Sequence, residues 1–273
     1  MEYTISQIVD ITAAMQAREQ LLASEERNRV LLQGLQAELD NAAHYLRSVL
    51  PGELSGRVAT QTRYLPSSTL GGDFFDFLWI DDDHLAFYLL DVSGHGVQSA
   101  LVAVSAYNLL RSSAVTMPTL LHPSKMLGTL NRHFAMERHD GNYVTMWYGV
   151  YEVSSRTMRY ACGGHPPALL LTGDTVTQLS SQSPPVGMFE DATFPAIKIA
   201  IPPDSELVLY SDGIFEFRLP EGRPWLQPEF VDVCAGLSRS PGWSLDDLVA
   251  EVLTHSATGA FEDDCSLVRL TFE

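Results

Sequence analysis

Apolar residues recur at intervals of seven through the first fifty positions, in two blocks: Ile8, Met15 and Leu22, then Leu32, Leu39 and Leu46. Leu35, Ala42 and Val49 fill a second seam position in the later block. The stretch holds a single glycine, Gly34, and no proline before Pro51; Ala, Gln, Glu, Arg and Leu dominate, which is the composition of a helix. The step from Leu22 to Leu32 is ten residues, so three residues interrupt the heptad and overwind any supercoil locally. The pattern predicts a helix over residues 1–50. It serves either as a coiled coil that pairs two copies of the chain or as a single helix packed on its own domain. Proline cannot continue a helix and disfavours helix in the residue before it, so Pro51 and Gly52 end the element and a second domain, residues 51–273, begins.

The pattern then changes from a period of seven to short β-type runs between Gly, Pro and Asp: Arg57 to Tyr64, Phe74 to Ile80, Leu85 to Leu90, Tyr143 to Val153, Thr157 to Cys162, Ala168 to Leu171, Ala196 to Ile201, Glu206 to Tyr210 and Cys265 to Phe272. The turn Asp81-Asp82-Asp83 joins two of them as a hairpin would. Helical spacing appears in Gly96 to Ser113, in Ser124 to Arg138 with Ser124 as its cap, and in Ser244 to His255, where Asp247 follows Ser244 by three as in a capping box. Many strands with a few helices inserted among them predict an α+β layered sandwich built on antiparallel sheet, and not the regular alternation of a doubly wound sheet.

Composition narrows the function. Seventeen Lys+Arg against 34 Asp+Glu give a net charge of −17, which argues against nucleic-acid and anionic-membrane surfaces, since both require basic patches. The cysteines, Cys162, Cys234 and Cys265, are odd in number and form no CxxC pair, so neither a disulfide framework nor a thiolate zinc site is indicated. No run approaches the roughly 18 to 20 apolar residues of a membrane span, and the N-terminus has no signal-peptide pattern. The expectation is a cytoplasmic protein.

Three places share one construction, an apolar strand meeting acid and glycine: Gly71-Gly72-Asp73 before Phe74, Asp91-Val92-Ser93-Gly94 after Leu90, and Ser211-Asp212-Gly213 after Tyr210. A fourth acidic pair, Asp263-Asp264, precedes the last strand. A strand end fixes an Asp backbone, and adjacent glycines let a ligand approach closely. One Asp-Gly alone reads as a turn; four acidic strand ends read as a site. If the carboxylates converge, cations relieve their repulsion, and all-oxygen ligation selects hard ions such as Mg²⁺ or Mn²⁺. The eight histidines form no HExxH or HxxxH pair for zinc.

Five ordered blocks carry a family resemblance: Gly71-Gly72-Asp73-Phe74-Phe75-Asp76, Asp91-Val92-Ser93-Gly94-His95-Gly96-Val97, Gly163-Gly164-His165-Pro166-Pro167, Ser211-Asp212-Gly213-Ile214-Phe215-Glu216 and Asp263-Asp264-Cys265-Ser266. Over residues 50–273 the chain resembles the SpoIIE/RsbU-type branch of the metal-dependent, protein phosphatase 2C-like serine/threonine phosphatases. The resemblance implies an αββα sandwich, two antiparallel sheets flanked by helices, with two Mn²⁺ or Mg²⁺ ions at the sheet ends. By position it implies that Asp91 bridges both ions and activates the attacking water. The Val92 carbonyl, Asp73, Asp212 and one of Asp263 and Asp264 complete the ligand set; Asp263 is favoured and both are retained. It makes Asp76 a strand or outer residue and His165 a turn-shaping one.

Two features depart from the eukaryotic relatives. Ser67-Ser68-Thr69-Leu70 offers no Arg to grip phosphate, and Ser93 stands in the place of a motif His, with His95 two residues on. As substrate the resemblance implies a phosphoserine or phosphothreonine protein, an anti-sigma-factor antagonist of the STAS fold being the leading example. As context it implies homodimerisation through the N-terminal helix and an upstream receiver or sensor domain. The alternative is a catalytically weak module whose main work is partner binding in signalling. A diguanylate cyclase reading of Gly71-Gly72-Asp73 fails, because Phe74 stands where an acidic residue is needed.

Overall fold

The computed structural model describes residues 10, 12–67, 70–94 and 96–273; Ile8 of the first heptad block, Ser68, Thr69 and His95 lie outside them. The chain divides into two compact units, Met1–Tyr45 and Leu46–Glu273. Most of the first unit is helix α1, Thr12–Val49, whose last four residues belong to the second unit. Met15, Leu22, Leu32 and Leu35, all seam positions of the heptads, are each more than half exposed. Glu26 and Arg29 pair one turn apart on its polar surface.

The second unit is built on two five-stranded antiparallel sheets. One consists of β1 (Val58–Leu65), β10 (Cys265–Phe272), β9 (Ser205–Tyr210), β6 (Ala168–Thr172) and β7 (Thr175–Leu179), hydrogen-bonded in the order β1-β10-β9-β6-β7. The other consists of β2 (Phe74–Trp79), β3 (His84–Val92), β4 (Val144–Glu152), β5 (Thr157–Gly163) and β8 (Ile197–Ala200), in that order across the sheet. β2 and β3 form the expected hairpin, with Phe74 opposite Leu90 and Trp79 opposite Leu85.

Side chains alternate across a strand, so a strand covered on both faces must be apolar at every position. β3 meets this condition from Leu85 to Leu90. Leu85, Phe87 and Leu89 enter the core between the sheets, while Ala86, Tyr88, Leu90 and Val92 enter the core under the helices. That outer core is closed by α2 (Val97–Arg111) and α4 (Pro123–His133), with the one-turn helix α3 (Met117–Leu120) between them in sequence. On the far side α5 (Gln227–Leu237) and α6 (Leu245–His255) pack Phe230, Leu245, Leu248 and Val252 against Val208, Tyr210 and Leu267 of the other sheet. The layers are helix, sheet, sheet, helix, as the sequence predicts.

Local chemistry sets the helix ends. Ser244 accepts from the Asp247 amide and the Asp247 carboxylate accepts from the Ser244 amide, so α6 opens on the expected capping box. α4 departs from expectation: it begins at Pro123, whose fixed φ suits the first helical position, with His122 and not Ser124 as its cap. It stops at His133, and Met136–Arg138 forms a separate 3₁₀ turn. The last residue of α2 is anchored to β2, where Arg111 donates to both oxygens of the buried Asp76 carboxylate at 2.6 Å. Asp76 therefore holds a helix on its sheet and is spent on that ion pair. Among the described residues no helix is long and apolar enough to cross a membrane.

Candidate active site

Antiparallel pairing places the start of one strand beside the end of its neighbour. β2 starts where β3 ends, and β10 starts where β9 ends, so two acidic termini from each sheet reach the same edge of the sandwich. β2 and β10 touch across the interface, as do β3 and β9. Asp91 lies two residues beyond Leu89, hence on the face of β3 turned toward the other sheet. Asp73 joins the sheets directly, because its Oδ2 accepts from the Ser211 hydroxyl at 2.7 Å.

The five carboxylates expected as metal ligands, Asp73, Asp91, Asp212, Asp263 and Asp264, belong to one electrostatic group. Burial, then the charge of Asp91, pushes the buried Asp73 carboxyl well above the usual carboxylate range. Burial also raises Asp91 strongly, followed by the charges of Asp212, Asp263 and Asp264. Asp212 is pushed up to about 6 by burial first, then by Glu216 and Asp263. Glu216 is the acid that sequence reasoning left without a role. Its amide donates to the Asp212 carbonyl at 2.8 Å, so it lies one turn beyond Asp212, and the sequence signal for it was this spacing of four.

The adjacent pair Asp263 and Asp264 is separated by its surroundings. Asp264 is buried and fully engaged: Oδ1 accepts from the Ser67 amide and hydroxyl, and Oδ2 from the Gly72 amide at 2.8 Å. Asp263 is exposed, its Oδ1 accepting from the Asp264 amide. Asp264 thus shapes the loop before Asp73, and Asp263 keeps an oxygen free. Asp73 Oδ1 is buried with no hydrogen-bond partner. An ionised oxygen so placed is costly unless a cation meets it, and it is the strongest local sign that the residues present suit one.

Close backbone approach explains the glycines. A Cβ on Gly72 would lie 2.8 Å from the Val92 carbonyl oxygen, and one on Gly213 only 2.1 Å from that of Asp264. Val92 also donates its amide to the Gly72 carbonyl at 3.3 Å, so the loop before β2 and the end of β3 are stitched together. Ser93 exchanges two hydrogen bonds with Tyr143, one through its amide and one through its hydroxyl, both 3.0 Å. His165 is buried in the connection from β5 to β6, its Nδ1 3.0 Å from the Pro166 carbonyl oxygen; burial lowers it to about 4, which keeps it neutral, as suits a turn-shaping role.

Among the described residues one group of three has ligand-capable atoms all within 4.8 Å of one another, Asp83, His84 and Glu152. It lies at the opposite end of β3 from Asp91, about 25 Å away at strand rise. There Asp83 already accepts from the Ser154 amide and hydroxyl, and His84 Nδ1 contacts Asp81. This group braces a hairpin, and the carboxylates around Asp91 stand more widely spaced than it does. All three cysteines are free and buried.

Two stacked antiparallel sheets, helices on both outer faces and acidic strand ends gathered at one edge define a protein phosphatase 2C-like domain. The family model described as Stage II sporulation protein E (SpoIIE) matches residues 81–273, and the chain belongs to that family. It is 34% identical over 169 residues to the phosphoserine phosphatase RsbP of Bacillus subtilis, covering 60% of this chain and 41% of RsbP. It is 25% identical over 207 residues to the phosphoserine phosphatase RsbU of the same organism, covering 73% of this chain and 60% of RsbU. The chain thus spans less than two thirds of either relative. Among solved structures, the SiaA-PP2C domain of Pseudomonas aeruginosa has the same fold, with a TM-score of 0.77 at 18% identity over 89% of this chain and 99% of that one.

Proposed function

We propose that the chain is a metal-dependent phosphoprotein phosphatase that hydrolyses phosphoserine or phosphothreonine esters, with a pair of Mn²⁺ or Mg²⁺ ions held at the acidic edge of the sandwich. The observation that carries the reading is the buried, unpartnered Oδ1 of Asp73 inside a group of carboxylates that raise one another's pKa values. Asp91, central to the group, would hold the ions together with Asp73, Asp212, Asp263 and the Val92 carbonyl. When bound, such ions supply an acidified water as nucleophile and positive charge against the phosphoryl oxygens. The chain supplies rigidity. Ser211 fixes one oxygen of Asp73, and Asp264 fixes the Gly72 backbone.

The test is phosphate release from p-nitrophenyl phosphate and from a phosphoserine peptide, with Mn²⁺ or Mg²⁺ and with chelator. Release that requires the metal is expected. Its absence with both metals overturns the proposal and leaves the partner-binding reading. The two neighbouring acids separate within the same assay. Asp263→Asn is expected to raise the Mn²⁺ concentration for half-maximal rate by more than about tenfold, since loss of even an outer partner weakens metal sites that much. Asp264→Asn is expected to cost about 2 kcal/mol of stability in urea titrations, because its amide faces the Ser67 and Gly72 donors.

RsbP and RsbU are named as phosphoserine phosphatases, which supports a phosphorylated regulatory protein in the cytosol as the substrate of this chain, with a STAS-fold antagonist of an anti-sigma factor as the leading example. The exposed seam residues Met15, Leu22, Leu32 and Leu35 support a parallel homodimer through α1, below a receiver or sensor domain that sets the orientation of the two phosphatase units. Residues 46–273 alone are then expected to sediment as a monomer where the whole chain sediments as a dimer. A whole chain that sediments with the mass of a single copy would remove the dimer.

A further inference from the structure

Beside the acidic edge runs a groove of about 510 Å³ whose floor and walls are Phe215, Phe217, Trp225 and Leu226, with Glu216 and Glu262 on its rim. The floor is rigid: Phe217 and Trp225 are buried, with ring centroids 4.9 Å apart. The wall is available: Leu226 is 54% exposed. The groove is continuous with the candidate active site at two points. Phe215 and Glu216 follow Asp212 in one 3₁₀ turn and its extension, and Glu262 immediately precedes Asp263. A polypeptide whose phosphate enters the site beside Asp212 and Asp263 can therefore lay the residues on one side of its phosphoserine over this groove. The rim is acidic. Its one base, Arg218, donates its guanidinium to the Gly222 carbonyl and its amide to Glu262.

We infer that this groove is the docking site for the segment of the substrate protein beside its phosphoserine, and that the segment carries a bulky apolar side chain together with a basic one. The inference rests on the phosphatase reading and adds a sequence preference to it. The apolar floor gains from an aliphatic or aromatic side chain that would otherwise face water. Glu216 and Glu262 gain from a Lys or Arg, and they disfavour acidic flanking residues.

Two synthetic phosphoserine peptides test it with the full chain in Mn²⁺, one with Leu and Arg on both sides of the phosphoserine and one with Ala at those positions. p-Nitrophenyl phosphate, too small to reach from the active site into the groove, serves as the reference. The expected result is a kcat/KM about tenfold higher for the Leu/Arg peptide, the scale of a partly buried leucine side chain. Leu226→Ser, which places a favoured residue at the cap of α5 and so preserves the helix, should remove most of that preference. Glu262→Gln, which keeps an acceptor for the Arg218 amide, should remove the share due to arginine. Hydrolysis of both peptides at equal kcat/KM by the wild type, beside normal turnover of the reference, overturns the groove and leaves the phosphatase. No turnover of any of the three overturns both. A change in sedimentation of Leu226→Ser would assign the groove to a second copy of the chain and also overturn the inference.

Discussion

Asp91→Asn is expected to lower metal-dependent phosphate release about 10²- to 10³-fold, the range for removing one prealigned charge from a reaction centre. The same substitution should stabilise the protein when metal is withheld. Three carboxylates of the group have their pKa values raised by burial and mutual repulsion, so in the folded state near neutral pH each is either protonated against its intrinsic preference or ionised at a cost. Removing the central charge relieves the others. A rise in Tm of about 2–4 °C in chelator corresponds to about 1 kcal/mol in a domain of this size.

The pH dependence follows with a definite sign. An acid whose folded pKa exceeds its unfolded value holds more protons in the folded state between the two values, so stability falls as pH rises through that window. For Asp212 the window runs from the ordinary carboxylate value of 3.8 to about 6, and Asp73 and Asp91 shift in the same direction. Metal-free wild type should lose Tm over this range, and Asp91→Asn should lose less. Mn²⁺ should restore the most at the alkaline end, where its ligands are already ionised. A Tm in chelator that is flat from pH 4 to pH 8 in both proteins, or a variant with wild-type turnover, would dismiss Asp91 as the centre of the group.

Gly213→Ala reaches the same loss of activity by another route. Its new methyl group would sit 2.1 Å from the Asp264 carbonyl oxygen and 2.8 Å from the carbonyl carbon, both backbone atoms with no rotamer to yield. Relief requires the end of β9 to part from the start of β10, which separates Asp212 from Asp263 and strains the Ser211 hydrogen bonds that join them to Asp73. A cost of about 3 kcal/mol, at the upper end for overpacking, is expected in urea titrations, with little turnover even at saturating Mn²⁺. The two variants therefore divide cleanly: Asp91→Asn is inactive and more stable without metal, Gly213→Ala inactive and less stable throughout. A Gly213→Ala protein with the wild-type midpoint would show that the two strand ends are freer than their spacing implies.

The reason these residues were legible in the sequence is also the reason they converge. A buried strand of an antiparallel sandwich is apolar throughout, so an acid at its end stands out, and antiparallel neighbours bring such ends together without help from the loops. β3 and its Asp91 illustrate this best. Elements that rely on weaker patterns were missed. β7 is an edge strand, mostly exposed and polar, and nothing in Thr175 to Leu179 distinguishes it from a loop. α5 hides behind Pro228 and Gly236, one favoured at a helix start and the other tolerated near its end. Asp263 and Asp264 look alike in sequence because what separates them is Ser67 and Gly72, almost two hundred residues away. The groove was equally invisible, since its apolar residues have no period and acquire a common face only when the hairpin bridged at Arg218 and Pro224 folds back.

The position of β10 has a consequence for how the molecule comes into being. It lies inside its sheet, between β1 and β9, with Val58 opposite Phe272, and the Asp263-Asp264 pair leads directly into it. A nascent chain still threaded in the ribosome short of Phe272 has its first strand unpaired and its acidic edge open on one side. The acidic edge therefore closes only after nearly the whole domain has left the ribosome.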